Sequence, residues 1–328
     1  MLPSEDFGIV PKVGLEIEIV QWTERTRGQV CQDLINAELM SARGNFVREY
    51  HRYHCECSVC EAWADGKVPW PIQTVQQYDA SLPDTGGEFI TSPLLVTDLF
   101  LDGLEEVWNI VVRDAQWRAD VPNRRGGPSS PSIHVHVSVE NPFKEVFSSR
   151  LAHEAIWDFL PELFTVASVC GLDRGIDYRK PDRAAGHHSA VNIRQMGYGV
   201  DSLEEGASIP RRGGRDAAAI RLEWRMWEAA YTDWPYVKGA VVLSAAFTQL
   251  VANRDMAKLF SASAALFNED DGDRVDDCES TEAILDMFSD KRFSFLCEML
   301  PQAPLIQEDP VMYDALSHLL NRVKESDG

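Results

Sequence analysis

Four short stretches of the chain alternate apolar with polar residues. In the first, residues 13–20, apolar side chains at every second position are interleaved with Glu16 and Glu18. The same period of two occurs at residues 88–94, 132–139 and 218–229. This period is typical of a β-strand, in which residues i and i+2 point to the same face of the sheet. We therefore predict four strands, and in the first of them the carboxylates of Glu16 and Glu18 lie side by side.

Longer apolar stretches predict helices between and after these strands. Residues 97–119 have the spacing of an amphipathic helix, with Thr97 or Asp98 as the N-cap. Its predicted buried face consists of Leu99, Leu104, Trp108, Val111 and Val112. Further helices are predicted at residues 144–170, 234–261, 280–300 and 310–325. Strands and helices in this order favour an α+β fold with a mostly antiparallel sheet over a strict βαβ alternation.

The composition narrows the classes of protein to which the chain can belong. Its 328 residues are 45% hydrophobic and have a formal net charge of −21, which argues against nucleic acid as the main partner. We expect no signal peptide and no membrane span, since a span needs about 20 apolar residues. The seven cysteines are an odd number, and three lie close together. This favours a reducing cytoplasm over a secreted disulfide framework.

We predict a single catalytic domain over residues 1–328. Within it, a segment rich in cysteine and histidine is expected as an insertion at about residues 43–66. The C-terminal part, at about residues 234–328, is expected to be helical. No internal repeat and no linker-like segment divides the chain.

The predicted strands share polar side chains that can bind a metal, placed at i and i+2. They are Glu16 and Glu18, then Glu88 with Asp79 upstream, then His134 and His136, and finally Arg221, Glu223 and Arg225. Any one of these groups alone is more often a solvated strand face or a surface ion-pair ladder. If the strands pair into one sheet, the carboxylates converge, and their repulsion favours a hard divalent cation such as Mg²⁺ or Mn²⁺. Arginines at the same rim suit phosphate or carboxylate groups.

The order of these motifs resembles that of the glutamine synthetase-like carboxylate–amine ligases. This superfamily includes glutamate–cysteine ligases and the amidoligases of phages and bacterial gene clusters. The matching pieces are "GLEIEIV", "DASLPDTGGEFITSPL", "SIHVHVS", "SAVN" and "IRLEWRMWEA", in the family's order over residues 13–230. The resemblance implies a curved, mostly antiparallel sheet with helices on its convex side. It also implies that the chain binds ATP with two or three Mg²⁺ ions.

The resemblance also assigns metal ligands to particular positions. Glu16 or Glu18 would hold one Mg²⁺ together with Glu88, and Asp79 would lie nearby. His134 and Glu223 would hold another against the ATP phosphates. The chain departs from the family between Asp79 and Glu88, where "SLPDTGG" is a glycine-bearing extension. We expect a β-bulge or a hairpin there.

The other implied roles concern nucleotide and substrate. By the same resemblance, His136 lies near the nucleotide, and Asn192 contacts substrate or cofactor. Arg221 and Arg225 contact phosphate and the reacting acyl group, and Glu18 belongs to the catalytic residues. These residue types suit ATP-dependent activation of a carboxylate, which requires charge screening and alignment rather than a nucleophilic side chain.

Three functions follow from this pattern. The first is an ATP-dependent ligase that joins a small-molecule or peptide carboxylate to an amine through an acyl phosphate. The second is a phosphotransferase of the same fold that stops at a phosphorylated product. The third is a non-catalytic binding protein that retains the sheet. Neither nucleic acid nor membrane is an expected partner, and a homo-oligomer remains open.

The cluster "HRYHCECSVC" forms a separate candidate metal site. It contains Cys55, Cys57 and Cys60, together with His51 and His54. Such close spacing favours one structural Zn²⁺ over disulfides, with His54 or His51 as the fourth ligand. The alternatives are a solvated loop with reduced thiols and a redox role.

Overall fold

The computed structural model is an α+β protein with a mostly antiparallel, open sheet. It describes residues 11–40, 72–76, 82–91, 94–116, 121–123, 125–127, 131–140, 149–169, 191–192, 219–227, 233–267 and 281–326. The chain divides into two compact units. The N-terminal unit comprises Val13–His134 and Glu228–Trp234, and the C-terminal unit comprises Met1–Lys12, Val135–Trp227 and Pro235–Gly328. The prediction of one catalytic domain stays a prediction.

The main sheet has the strand order β3-β4-β1-β7-β9-β8, and β5 also pairs with β1. These strands are β1 Lys12–Ile19, β3 Ile72–Gln76, β4 Gly87–Thr91, β5 Leu94–Leu95, β7 Ile133–Glu140, β8 Val191–Asn192 and β9 Ala219–Trp224. Two short strands, β2 Gln21–Trp22 and β6 Ala115–Gln116, form a second sheet. All the pairs whose register is defined are antiparallel. The four strands predicted from the period of two are therefore present.

Strand β1 follows the alternation that its sequence predicts. Leu15, Ile17 and Ile19 are almost fully buried, because they share one face of the pleat. Ile17 stands opposite Phe89 of β4, and the backbone amide of Leu15 donates to the hydroxyl of Thr91 at 2.8 Å. The opposite face of β1 therefore carries Glu16 and Glu18.

The chain returns to β4 through the glycine-bearing extension. Strands β3 and β4 form an antiparallel pair, and the register irregularity lies between Ile72 and Thr74 rather than in the glycines. Gly86 packs so closely on the end of β1 that a Cβ there would lie 2.4 Å from the carbonyl oxygen of Ile19. A side chain at this position would force the backbones apart, which explains a glycine directly before the strand that carries Glu88.

Two of the described helices belong to the N-terminal unit. Helix α1 spans Arg27–Asn36 and begins with a capping box formed by Thr26 and Gln29. Helix α2 spans Asp98–Val112, and the predicted cap is Thr97, whose hydroxyl accepts from the amide of Phe100 at 3.2 Å. The predicted buried face was wrong at both ends: Leu99 is 63% exposed and Val112 is only half-buried, whereas Phe100, Leu101 and Val107 are buried. Leu99 lies in the first turn, where the helix faces solvent.

The described helices of the C-terminal unit differ from the prediction in their number. They are α3 Ser149–Asp158, α4 Leu160–Val169, α5 Trp234–Ala252, α6 Arg254–Phe267, α7 Thr281–Asp286, α8 Asp290–Met299, α9 Pro304–Gln307 and α10 Pro310–Ser326. The helices predicted at residues 144–170, 234–261 and 280–300 are each two helices, whereas the one predicted at residues 310–325 is the single helix α10. Pro161 occupies the first turn of α4, where a missing amide is tolerated, and so marks a new helix start. Asn253 separates α5 from α6, and its side chain caps α6 by accepting from the amides of Asp255 and Met256.

Among the described helices, α5 alone has the length and composition of a membrane span, and the expectation that the chain has no span stays a prediction. The 19 residues of α5 are long and apolar enough by length and composition, although 83% of the apolar window is buried inside the protein. This apolar stretch is hard to recognise in the sequence because polar residues such as Ser244 and Thr248 interrupt it. Both are fully buried in the C-terminal unit, where a core helix can satisfy them.

Candidate metal and nucleotide site

Two carboxylates face each other across the pair β1–β4. Glu18 and Glu88 are directly opposite in the register, and their exposed fractions are only 3% and 4%. Directly opposite residues of an antiparallel pair point to the same face. Two buried like charges at such positions repel each other, and a bound cation relieves that repulsion. This pair therefore fits the metal role that the motifs imply for it.

Next to Glu18, a chain of polar contacts continues to His134 and Glu16. The hydroxyl of Ser132 hydrogen-bonds to Oε2 of Glu18 and lies 2.8 Å from Nε2 of His134. The other ring nitrogen, Nδ1, lies 2.8 Å from Oε2 of Glu16. Ser132 and His134 are buried, whereas the side chain of Glu16 is 21% exposed. The structure thus brings Glu16, Glu18 and His134 into one connected group in the N-terminal unit.

The corresponding residues of the C-terminal unit are arranged around Glu223. In the registers, Glu223 of β9 is the partner of His136 on β7 and of Asn192 on β8. Arg221 is the register partner of Ser138, two positions further along the same strands. The guanidinium of Arg225 forms an ion pair with Glu223 at 2.5 Å, and both side chains are buried. Glu223 is therefore the centre of a group that contains an imidazole and an arginine.

Two tryptophans hold this end of β9 against helix α5. The indole N–H of Trp224 donates to the hydroxyl of Thr248 at 3.0 Å, and that of Trp227 donates to the hydroxyl of Ser244 at 2.9 Å. Ser244 and Thr248 are one turn apart on α5, and all four side chains are fully buried. Because Trp224 and Trp227 flank Arg225, these bonds fix the backbone on both sides of the arginine.

The donor atoms fit a divalent cation. Among the described residues, Glu16 and His134 of the N-terminal unit can each offer one ligand atom, and so can His136 and Glu223 of the C-terminal unit. Carboxylate oxygens suit Mg²⁺ and Mn²⁺, whereas imidazole is also common with Zn²⁺ and other transition metals. The residue types therefore suit a divalent cation without selecting one metal.

Cys31, a buried cysteine of the N-terminal unit, has an unreactive thiol. Burial raises the pKa of the Cys31 thiol to about 11, so it remains protonated at neutral pH. A protonated thiol is neither a good nucleophile nor a metal ligand. This agrees with a site that works through carboxylates, imidazoles and arginines.

Not all of the predicted site residues belong to the described part of the chain. Asp79 and all five candidate zinc residues, His51, His54, Cys55, Cys57 and Cys60, are outside the described residues. For Arg221 and Asn192 only the backbone and register are described. The zinc site therefore stays a prediction, as does the role of Asp79.

The sequence reasoning missed Ser132, Trp227 and the two hydroxyl residues of α5. Ser132 could have been predicted from the sequence, because it precedes His134 by two positions and so belongs to the same face of an extended strand. Thr248 and Ser244 gave no signal, since their partners lie 24 and 17 residues away along the chain. Only the packing of a helix on a strand reveals these contacts.

Comparison with known proteins assigns the chain to no family. No protein-family model matches the chain, and no curated protein matches it. The motifs, registers and contacts described above therefore carry the whole functional argument.

Proposed function

We propose that the chain is an ATP-dependent carboxylate–amine ligase of the glutamine synthetase-like type, acting in the cytoplasm. One observation carries the proposal: buried strands of the main sheet present carboxylates next to imidazoles, with an arginine paired to one of the carboxylates. The pairs are Glu16 with His134, and Glu223 with His136 in register and Arg225 by ion pair. A structural sheet gains nothing from burying so many ionisable groups.

In this proposal the chain's own residues bind and align two anions. Glu16, Glu18, Glu88, His134 and Glu223 hold the divalent ions, which screen the phosphate charges when bound. His136 and Asn192 contact the nucleotide or substrate. Arg221 and Arg225 bind the phosphoryl group in transit, because a planar guanidinium offers two parallel donors to oxyanions.

The reaction balances in two steps. A carboxylate oxygen of the substrate attacks the terminal phosphorus of ATP, and the bond to ADP breaks. The amine then attacks the acyl carbon, the C–O bond breaks, and inorganic phosphate leaves with the electron pair. The amine gives up one proton as the amide forms. The residues described supply charge and position rather than a covalent intermediate.

The deciding experiment is ADP release with Mg²⁺, screened over carboxylic acids and amines. A ligase forms ADP and an amide only when both substrates are present, whereas a phosphotransferase forms ADP without the amine. Glu223→Gln should abolish turnover. Glu105→Gln, which removes an exposed charge on α2, is the matched control and should leave turnover unchanged. If no acid supports ADP formation and Mg²⁺-ATP does not bind, the chain is a binding protein and the proposal is wrong.

A further inference from the structure

The side chain of Ser132 contacts two of the proposed metal-binding residues. Ser132 directly precedes β7 and is fully buried. Its backbone carbonyl accepts a hydrogen bond from the amide of Glu18 at 2.9 Å, which fixes the serine against β1. Its hydroxyl is therefore held between the carboxylate of Glu18 and the imidazole of His134.

The direction of these hydrogen bonds follows from the hydrogens that each group can donate. A serine hydroxyl has one hydrogen, and an ionised carboxylate only accepts. When the ring is neutral, as binding of a metal to an imidazole requires, the hydroxyl donates to Glu18 and accepts from the N–H at Nε2 of His134. Nδ1 then keeps its lone pair, and it faces Oε2 of Glu16 at 2.8 Å.

Without a cation these two atoms are within hydrogen-bond distance of each other, and a divalent cation bound to both would take the place of the shared proton. Histidines that ligate a metal generally donate their other N–H to a carboxylate, a carbonyl or water, which fixes the tautomer and the ring orientation. Here the hydroxyl of Ser132 lies between the imidazole of His134 and the carboxylate of Glu18, and it links them through two hydrogen bonds. We propose that Ser132 is a positioning residue that couples Glu18 to His134 and makes Nδ1 the metal-binding nitrogen beside Glu16. This inference rests on the proposed function, in that Glu16 and His134 bind a divalent cation.

The first test measures Mn²⁺ binding by electron paramagnetic resonance of the free ion, with the full chain and no substrate. Ser132→Ala should weaken binding by about 10- to 100-fold, the range for losing a group that orients a ligand. Ser132→Thr keeps the hydroxyl and should restore most of the affinity. Ser263→Ala removes another buried serine, on helix α6, and should leave Mn²⁺ binding unchanged.

The second test reads the tautomer directly from the wild-type chain. Nitrogen NMR of histidine-labelled protein with Mg²⁺ should show His134 protonated at Nε2. A proton at Nδ1 would overturn the inference even if Ser132→Ala failed to fold.

The outcomes separate this inference from the proposed function. If the wild-type chain binds no Mn²⁺, both are wrong. If it binds Mn²⁺ and Ser132→Ala binds equally well with the same tautomer, only the role of Ser132 is wrong.

Discussion

Two glutamate–arginine pairs are buried in the C-terminal unit, and they differ in what surrounds them. Glu162 of α4 pairs with Arg292 of α8 at 2.9 Å, with exposed side-chain fractions of 0% and 7%. The guanidinium of Arg292 also donates to the carbonyl of Met287, and the amide of Ser289 donates to Glu162. Helix termini thus surround this pair with backbone partners, and it closes the corner between α7 and α8.

The pair of Glu223 and Arg225 has the same residue types and similar burial. Glu223 lies on β9 and Arg225 follows directly after the strand ends, and register places His136 and Asn192 opposite Glu223.

Nε of Arg225 is buried and has no hydrogen-bond partner within the described part of the chain. Oε2 of Glu162 is likewise buried without a hydrogen-bond partner among the described residues, so the pairs differ in the sign of the atom left over and in their backbone partners. A donor is suited to an anionic ligand, whereas the backbone partners around Arg292 suit a structural role. Neighbouring groups, rather than residue type or burial, therefore separate the two pairs.

The largest expected effect is the loss of stability at the helix corner. Arg292→Met leaves Glu162 buried without its counter-charge, which should lower the free energy of unfolding by about 3–5 kcal/mol. Denaturant unfolding followed by circular dichroism measures this loss. The double variant Glu162→Leu with Arg292→Met should recover much of it, because no charge then remains buried. A loss below about 1 kcal/mol in the single variant would contradict a structural role for the pair.

The next effect concerns turnover, which should depend on the pair of Glu223 and Arg225. Arg225→Lys keeps the charge but loses the planar fork, so we expect turnover to fall about a hundredfold or more. ATP affinity should change much less, since the contact is strongest in the transition state. Arg292→Lys is the matched control and should reduce stability rather than the turnover of folded protein. If turnover of Arg225→Lys stays within about threefold of wild type, Arg225 has no catalytic role.

A smaller effect is expected when the hydrogen bond from Trp224 on β9 to Thr248 on α5 is removed. Thr248→Val keeps the shape of the side chain but leaves the indole N–H of Trp224 buried without its acceptor. The free energy of unfolding should fall by about 1–3 kcal/mol. Thr248→Ser retains the hydroxyl and should be closer to wild type. Equal stability of the valine and wild-type chains would mean that the indole bond does not hold β9 on α5.

The smallest effect is a dependence on pH at the helix corner. Burial raises the pKa of Glu162 above its ordinary value of 4.5, and Arg292 opposes that rise. The folded chain thus binds this proton more tightly than the unfolded chain, so stability from this group is full below pH 4.5 and falls as pH rises through the raised pKa.

Removing Arg292 sharpens this dependence. Because burial then acts on Glu162 without opposition, the stability lost by Arg292→Met should be larger at pH 7 than at pH 4.5. Unfolding of both chains at the two pH values measures the difference. A loss that grows on acidification would have the wrong sign and would contradict the assignment.

The local sequence pattern predicted which strands and helices are present better than where each begins and ends. The period of two identified β1, β4, β7 and β9, since strand pleating follows directly from alternation. Of the two predicted N-caps, Thr97 and Asp98, the structure has Thr97, whose side chain accepts from the amide three residues on. The long helices at 144–170 and 234–261 were wrong, because Pro161 and Asn253 start new helices inside apolar runs that hydrophobicity alone reads as continuous.

The sequence by itself determined which candidate residues share a strand face: Glu16 with Glu18, His134 with His136, and Arg221 with Glu223. This follows from the pleat, which depends only on neighbours two positions apart. The tertiary structure decided that Glu18 stands opposite Glu88, that His136 stands opposite Glu223, and that Ser132 lies between Glu18 and His134. Strand register and order bring together groups as distant as Glu16 and His134, 118 residues apart. A shift of one residue would turn each such group to the opposite face, and only the packing of whole strands prevents it.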